Sequence, residues 1–115
     1  MKYVIAIIRP ERLDSVTRAL QKVEVNRLTV SPVSGYGAQK GYLEVYRAVE
    51  LEVNLLEKIK LEIAVNDDFL APTIEAIKKG AKTNEKGEIG DGKIFVLPLE
   101  DVVRISTSET SSDAI

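Results

Sequence analysis

The eight residues Lys58–Val65, KIKLEIAV, alternate without a fault. Ile59, Leu61, Ile63 and Val65 fall on one side, and Lys58, Lys60 and Glu62 on the other. A period of two is the spacing of side chains along a β-strand, so this stretch predicts a strand with one face in a core and one face polar. Two residues later the period changes. Phe69, Leu70, Ile74, Ile77 and Ala81 recur at helical intervals, which predicts an amphipathic helix. Asp67-Asp68 reads as its N-cap, Pro72 as falling close to its first turn, where proline costs least, and Lys78, Lys79 and Gly80 as its close.

The same succession stands earlier in the chain. Residues 2–8, KYVIAII, form a β-branched apolar run with no polar alternation after Lys2, the pattern of a central strand. Arg9-Pro10 ends it. Leu13, Val16, Ala19, Leu20 and Val23 then mark a helix closing near residues 24–26. Leu28 to Ser34 reads as a second strand, and Pro32, which cannot donate to a ladder, places it at an edge or at a bulge. Strand, helix and strand occur twice within about 100 residues. The expected architecture is α+β: a ferredoxin-like βαββαβ sandwich with a four-stranded antiparallel sheet and two helices on one face. The other face then needs cover, which neighbouring copies would supply.

Two stretches do not fit regular elements. Gly35-Tyr36-Gly37-Ala38-Gln39-Lys40-Gly41 has three glycines in seven residues and opens a long segment of mixed polarity reaching Leu56. So long a connection in a small domain is often functional. The second stretch, residues 82–93, carries Gly87, Gly90 and Gly92 before the apolar strand Ile94–Leu97. It reads either as a plain turn or as a concavity of peptide N–H groups suited to an anion, with Lys93 at its exit. It matches neither a Walker A nor a Rossmann pattern. Leu99 to Ile105 reads as a short apolar element, and residues 106–115 as a polar tail with little order of its own.

Composition narrows the chemistry. The 115 residues suit one domain and contain no cysteine and no histidine. Disulfides, thiolate or imidazole metal sites and the usual general base near neutral pH are therefore excluded. No nucleophile–base pair is evident, so an enzyme is not expected. A net charge of −2 gives no drive toward nucleic acid. No apolar run approaches the length needed to span a bilayer, and a cytoplasmic location is expected.

The chain resembles the PII signal-transduction proteins, the trimeric nitrogen-regulatory family. The matching residues run from Arg9-Pro10 and Leu28-Thr29-Val30 through Gly35-Tyr36-Gly37, Gln39-Lys40-Gly41 and Glu44-Val45-Tyr46-Arg47. Residues 56–62, the run Ile89-Gly90-Asp91-Gly92-Lys93-Ile94-Phe95-Val96 and Val103-Arg104-Ile105 complete them. The resemblance implies a T-loop over 37–56, a B-loop over 82–92 and a C-terminal loop over 102–115. It implies a homotrimer that binds an adenine nucleotide (ADP, AMP or ATP) in clefts between subunits. The implied nucleotide residues are Thr29, Gly35, Gly37, Ala38, Gln39, Lys40, Glu62, Ala64, Gly90, Asp91, Gly92, Lys93 and Arg104. For 2-oxoglutarate they are Gln39, Lys40, Gly41 and Lys58, with Gln39 a ligand of Mg that enters only with the nucleotide. Taken without the family, Lys58 reads as a solvated strand lysine.

The T-loop would meet a membrane transporter or an enzyme of nitrogen or carbon metabolism through Tyr42, Tyr46, Arg47 and Leu51. The departures from the family pattern are specific. Ala38 and Ser106 stand where arginines are usual, Glu88 replaces a basic residue, and Asn84-Glu85-Lys86 is additional. Loss of three cations should disfavour a triphosphate, shifting preference toward ADP or AMP. Leu51 and Val49 stand where the family's modified tyrosine and serine align, so those modifications are not expected. The competing expectation is a PII-like interaction protein that has lost nucleotide sensing.

Overall fold

The computed structural model describes residues 1–36 and 55–115. β1 (Lys2–Ile8) is followed by a 3-10 turn (Pro10–Arg12), α1 (Leu13–Lys22) and β2 (Thr29–Tyr36). β3 (Leu55–Val65), α2 (Asp67–Ala81) and β4 (Gly92–Pro98) come next, and a 3-10 turn (Ser111–Ala114) ends the series. The four strands form one sheet in the order β2-β3-β1-β4, antiparallel throughout. This is the expected ferredoxin-like fold. β1 is central, as its unbroken apolar run requires, and β2 is an edge strand, where Pro32 leaves no ladder gap inside the sheet.

Period two sorts the side chains. Val4, Ala6 and Ile8 of β1 and Leu61, Ile63 and Val65 of β3 are buried. They meet Val16 and Leu20 of α1 and Ala76, Ile77 and Ala81 of α2 in one cluster. Burying each of the larger side chains fully contributes about 1.5–3 kcal/mol. The opposite face carries Tyr3, Ile5 and Ile7, flanked on β3 by Ala64, Glu62 and Lys60 and on β4 by Leu97, Phe95 and Lys93. It is therefore apolar toward β4 and polar toward β2. Among the described residues no helix packs on it.

Several local expectations are corrected. Asn66, not Asp67-Asp68, occupies the N-cap position of α2, and it makes no side-chain cap. The Asp67 carboxylate is instead drawn to the N-terminal ammonium at 2.9 Å. Pro72 lies inside α2, beyond the first turn, on an exposed position, so the helix loses one hydrogen bond on its wet side. Gly80 does not close the helix. It is buried where the two helices touch, and a Cβ there would come within 2.7 Å of the Val16 Cα. The helix contact, rather than chain termination, explains that glycine. β2 runs on to Tyr36, and β3 starts at Leu55, taking the last two residues assigned to the T-loop.

The end of the chain also departs from expectation. Residues 99–105 form no strand beyond an isolated bridge between Val103 and Thr110, and Ile105 is almost wholly exposed. The polar tail is ordered by a tight reversal. The Arg104 N–H donates to the Glu109 carbonyl at 2.8 Å, the Ser108 N–H to the Arg104 carbonyl at 2.8 Å, and the Ser111 N–H to the Val102 carbonyl at 2.9 Å. Ala114 is buried at its end. A small polar composition hid these bonds, because they are backbone bonds.

Candidate functional site: the B-loop and the open sheet face

Residues 82–91 leave α2 and return to the sheet at Gly92. That return is tight. Gly92 has φ +117°, and a Cβ there would run into the Ile7 carbonyl. Only glycine takes this position without strain.

The loop is wound about one carboxylate. Asp91 accepts the Thr83 N–H at 3.0 Å and the Glu88 N–H at 2.8 Å, and the Thr83 hydroxyl as well. The Arg9 Nε adds a charged bond at 3.1 Å, and the Arg9 Nη2 donates to the Ile89 carbonyl at 2.8 Å. Burial alone would raise the Asp91 pKa. The bonds from Thr83, Glu88 and Arg9 outweigh it and hold the group down at about 2. Of the loop's N–H groups, those of Thr83 and Glu88 are thus directed at the chain's own carboxylate, Asp91. The N–H groups of Lys86 and Gly87 are committed to Asn84. Among the described residues those of Ile89 and Gly90 have no acceptor.

Lys58 reaches the same loop. Its Nζ donates to the Gly90 carbonyl at 2.7 Å. Its pKa is lowered, first by burial and then by the nearby Arg9 guanidinium. Lys58 is therefore a partly desolvated cation at the loop, not a solvated strand lysine. Arg9, read from the sequence as the end of β1 and as a family-matching residue but not as a site residue, is the one that reading missed.

Further along the same face stands a second polar group. The Tyr3 hydroxyl donates to Glu62, and Lys60 lies 3.7 Å from that carboxylate. The Tyr3 pKa is raised, chiefly by this hydrogen bond and then by burial. Thr29 is directly opposite Glu62, and Ala64 is opposite Tyr3. Gly35 is opposite Leu56, near the Lys58 end of β3.

Within one chain the candidate residues thus fall into two sets. Lys58, Gly90, Asp91, Gly92 and Lys93 gather at the loop, with Gly35 toward that end. Thr29, Glu62 and Ala64 lie four to six residues up the strand from Lys58, about 13–20 Å away at strand rise. Arg104 belongs to neither set. Its Nη2 donates to the Ala114 and Ile115 carbonyls, each at 3.3 Å. Gly37, Ala38, Gln39, Lys40, Gly41, Tyr42, Tyr46, Arg47 and Leu51 lie outside the described residues.

A cavity of about 630 Å³ opens beside the loop, bordered by the end of α2, the loop and residues from both faces of β4. Its floor is Ile8, Ile74, Ile77 and Ile94. Among the described residues no cluster of three acidic, histidine or cysteine side chains is placed to hold a metal ion. Likewise no helix is long and apolar enough to cross a membrane.

A ferredoxin-like sheet with one uncovered face and a carboxylate-centred glycine loop defines a small α+β chain with a ligand-sized recess at its edge. The model of the family "Nitrogen regulatory protein P-II" matches residues 1–109. The chain is similar over all 115 residues to nitrogen regulatory protein GlnK1 of Methanosarcina mazei, at 73% identity and covering 97% of that protein. It is 50% identical to nitrogen regulatory protein P-II of Rhizobium etli and 48% identical to that of Azospirillum brasilense, end to end in both cases. The chain belongs to the nitrogen regulatory protein P-II family, a family of signalling regulators rather than enzymes.

Proposed function

We propose that this protein is a homotrimeric cytoplasmic regulator that senses adenine nucleotides at the seams between its subunits and reports through its T-loop. The separation of the candidate residues into two sets on one sheet face carries this reading. A nucleotide cannot bridge them within one chain as a compact site, but a cleft between copies brings the loop of one against the Thr29–Glu62–Ala64 strand positions of the next. The apolar half of the open face, with Ile5, Ile7, Phe95 and Leu97, is the surface such copies would bury. Arg104, which the Ala114 and Ile115 carbonyls hold within one chain, would exchange those bonds for contacts with a neighbour.

In this reading Lys58 and the Ile89 and Gly90 N–H groups receive anionic groups of the ligands. The cation at Lys58 suits a carboxylate such as that of 2-oxoglutarate, and Gln39 would join it to Mg carried in with the nucleotide. Gly37, Lys40 and Gly41 complete the phosphate and carboxylate contacts. Ala38, Ser106 and Glu88 offer no cation, so ADP and AMP are preferred to ATP. Tyr42, Tyr46, Arg47 and Leu51 meet the target, a membrane transporter or a metabolic enzyme.

Calorimetric titration with AMP, ADP and ATP, with and without Mg and 2-oxoglutarate, tests this. Binding of ADP or AMP more tightly than ATP is the expected result. Tight ATP binding strengthened by 2-oxoglutarate would overturn the preference. Silence toward every adenylate at millimolar concentration would overturn the sensing role and leave a scaffold protein.

A further inference from the structure

The two helices do not cover the sheet evenly. On their side of it, Val4, Ala6 and Ile8 of β1 and Leu61, Ile63 and Val65 of β3 are buried. Ile94 and Val96 hold the same side of β4, opposite Ala6 and Val4, yet Ile94 is only part-buried and Val96 is 41% exposed. The cavity of about 630 Å³ opens beside Ile94, between β4 and the end of α2. Ile74 of α2 flanks it, Ile8 and Ile77 close its floor, and Ile89, 53% exposed, stands on its loop side. An apolar recess of this size, about 300–1,000 Å³, with a polar rim is the usual form of a small-molecule site.

The rim is cationic. Lys78 in the last turn of α2, Lys82 just beyond it and Lys86 of the loop all border the cavity. Lys78 is paired with Glu75 at 3.3 Å. Among the described residues Lys82 and Lys86 have no acidic partner within salt-bridge distance. The two carboxylates on the wall are engaged elsewhere: Asp91 is held by Arg9 and Thr83, and Glu88 accepts the Asn84 side-chain amide at 3.1 Å. The Lys82 stem runs along the loop, its Cγ 3.9 Å from where a Cβ on Gly87 would stand. A lysine laid on its stem in this way keeps its ammonium at the mouth. Lys93 is different. It stands opposite Ile7 in the sheet and so starts from the open face, the side of Lys58 and the nucleotide positions.

We propose that this cavity is a second ligand site, apart from the nucleotide seam, for a free aliphatic carboxylate of medium chain length. The isoleucine floor takes the hydrocarbon, and the Lys82 and Lys86 ammonium groups take the head as point charges. Ile8, Ile74, Ile77 and Ile94 offer no polar atom to hold a sugar or the edge of a base. The inference does not rest on the adenylate-sensing reading, because it uses the helix side of β4 and the seam uses the open face. It also gives the uncovered strip of β4 an occupant that the two helices do not supply.

Calorimetry of the full chain with octanoate, hexanoate, acetate and octanol tests both halves of the site. Octanoate is expected to bind, and hexanoate to bind about fifteenfold more weakly for the two methylenes lost. Octanol should bind about tenfold more weakly than octanoate for the lost charge, and acetate not at all. Lys82→Gln and Lys86→Gln should each weaken octanoate about tenfold. Lys22→Gln makes the same change in net charge on α1, away from this cavity, and should change nothing. Ile74→Trp, which fills the recess from α2, should abolish octanoate binding and leave circular dichroism and mass in solution as in the parent. No octanoate binding, or acetate bound as tightly as octanoate, would overturn the site. A change of mass in Ile74→Trp would overturn it too, since a neighbouring copy would then be the cover. Displacement of octanoate by millimolar ADP would put both ligands in one place, ending the second site and leaving the sensing reading intact.

Discussion

The two faces of the sheet are built from the same strands, yet they solve different problems. On the helix side, Val4, Ala6, Ile8, Leu61 and Ile63 are buried beneath two helices. On the other side Tyr3, Ile5 and Ile7 are half-buried, and Phe95 and Leu97 remain exposed. The first face is closed within one chain. The second mixes apolar positions near β4 with an ordered polar group, Tyr3–Glu62–Lys60, near β3. Such a mixture serves poorly as a core and poorly as a solvated surface. It suits a surface that buries part of its area against a copy and keeps its polar groups paired.

Substitutions on the two faces should therefore fail differently. The largest effect is expected from Leu61→Ala on the helix side, a loss of about 2–5 kcal/mol in denaturant unfolding for a cavity in a close-packed core. Phe95→Lys on the open side should leave the circular dichroism of the chain native while reducing its mass in solution, at a cost to association of about 1.5–3 kcal/mol per seam. If Phe95→Lys unfolded the chain as Leu61→Ala does, the distinction between the faces would be lost.

The B-loop lies where the two faces meet, and its test is acid. The Asp91 carboxyl is held near 2, below its ordinary value of 3.8. A depressed folded pKa stabilises the loop fully above about pH 4 and loses that contribution as the pH falls toward 2. Amide exchange at Thr83 and Glu88, relative to the intrinsic rate at each pH, should accelerate across that window. In Asp91→Asn it should be fast already at neutral pH, with no further step. The smallest effect is expected from Tyr3→Phe, about 1 kcal/mol from one hydrogen bond to a charged partner on a part-buried face. Thermal denaturation of the two proteins measures it, and an identical midpoint would place Glu62 in the care of Lys60 alone.

Much of this was legible in the residues. The period of two over Lys58–Val65, the unbroken run of β1 and the helical stripe of Val16, Leu20 and Ile77 are local patterns, and they decide the sheet, its central strand and its helix side. Pro32 announced an edge for the same reason, being a local constraint on the backbone. What stayed hidden depended on partners far along the chain. Gly80 looks like a helix stop until Val16 is seen against it. Asp91 looks like one more residue of a polar loop, whereas its bond to Arg9 spans 82 residues. The T-loop positions are legible only through the family, and all but the last two lie outside the described residues.

The mass of the protein in solution, measured by light scattering at micromolar concentration, bears most directly on whether the open face is a seam. A particle of three 12.7 kDa chains is the result this account predicts. A single chain of 12.7 kDa, stable over that range with its open sheet face in water, would contradict it.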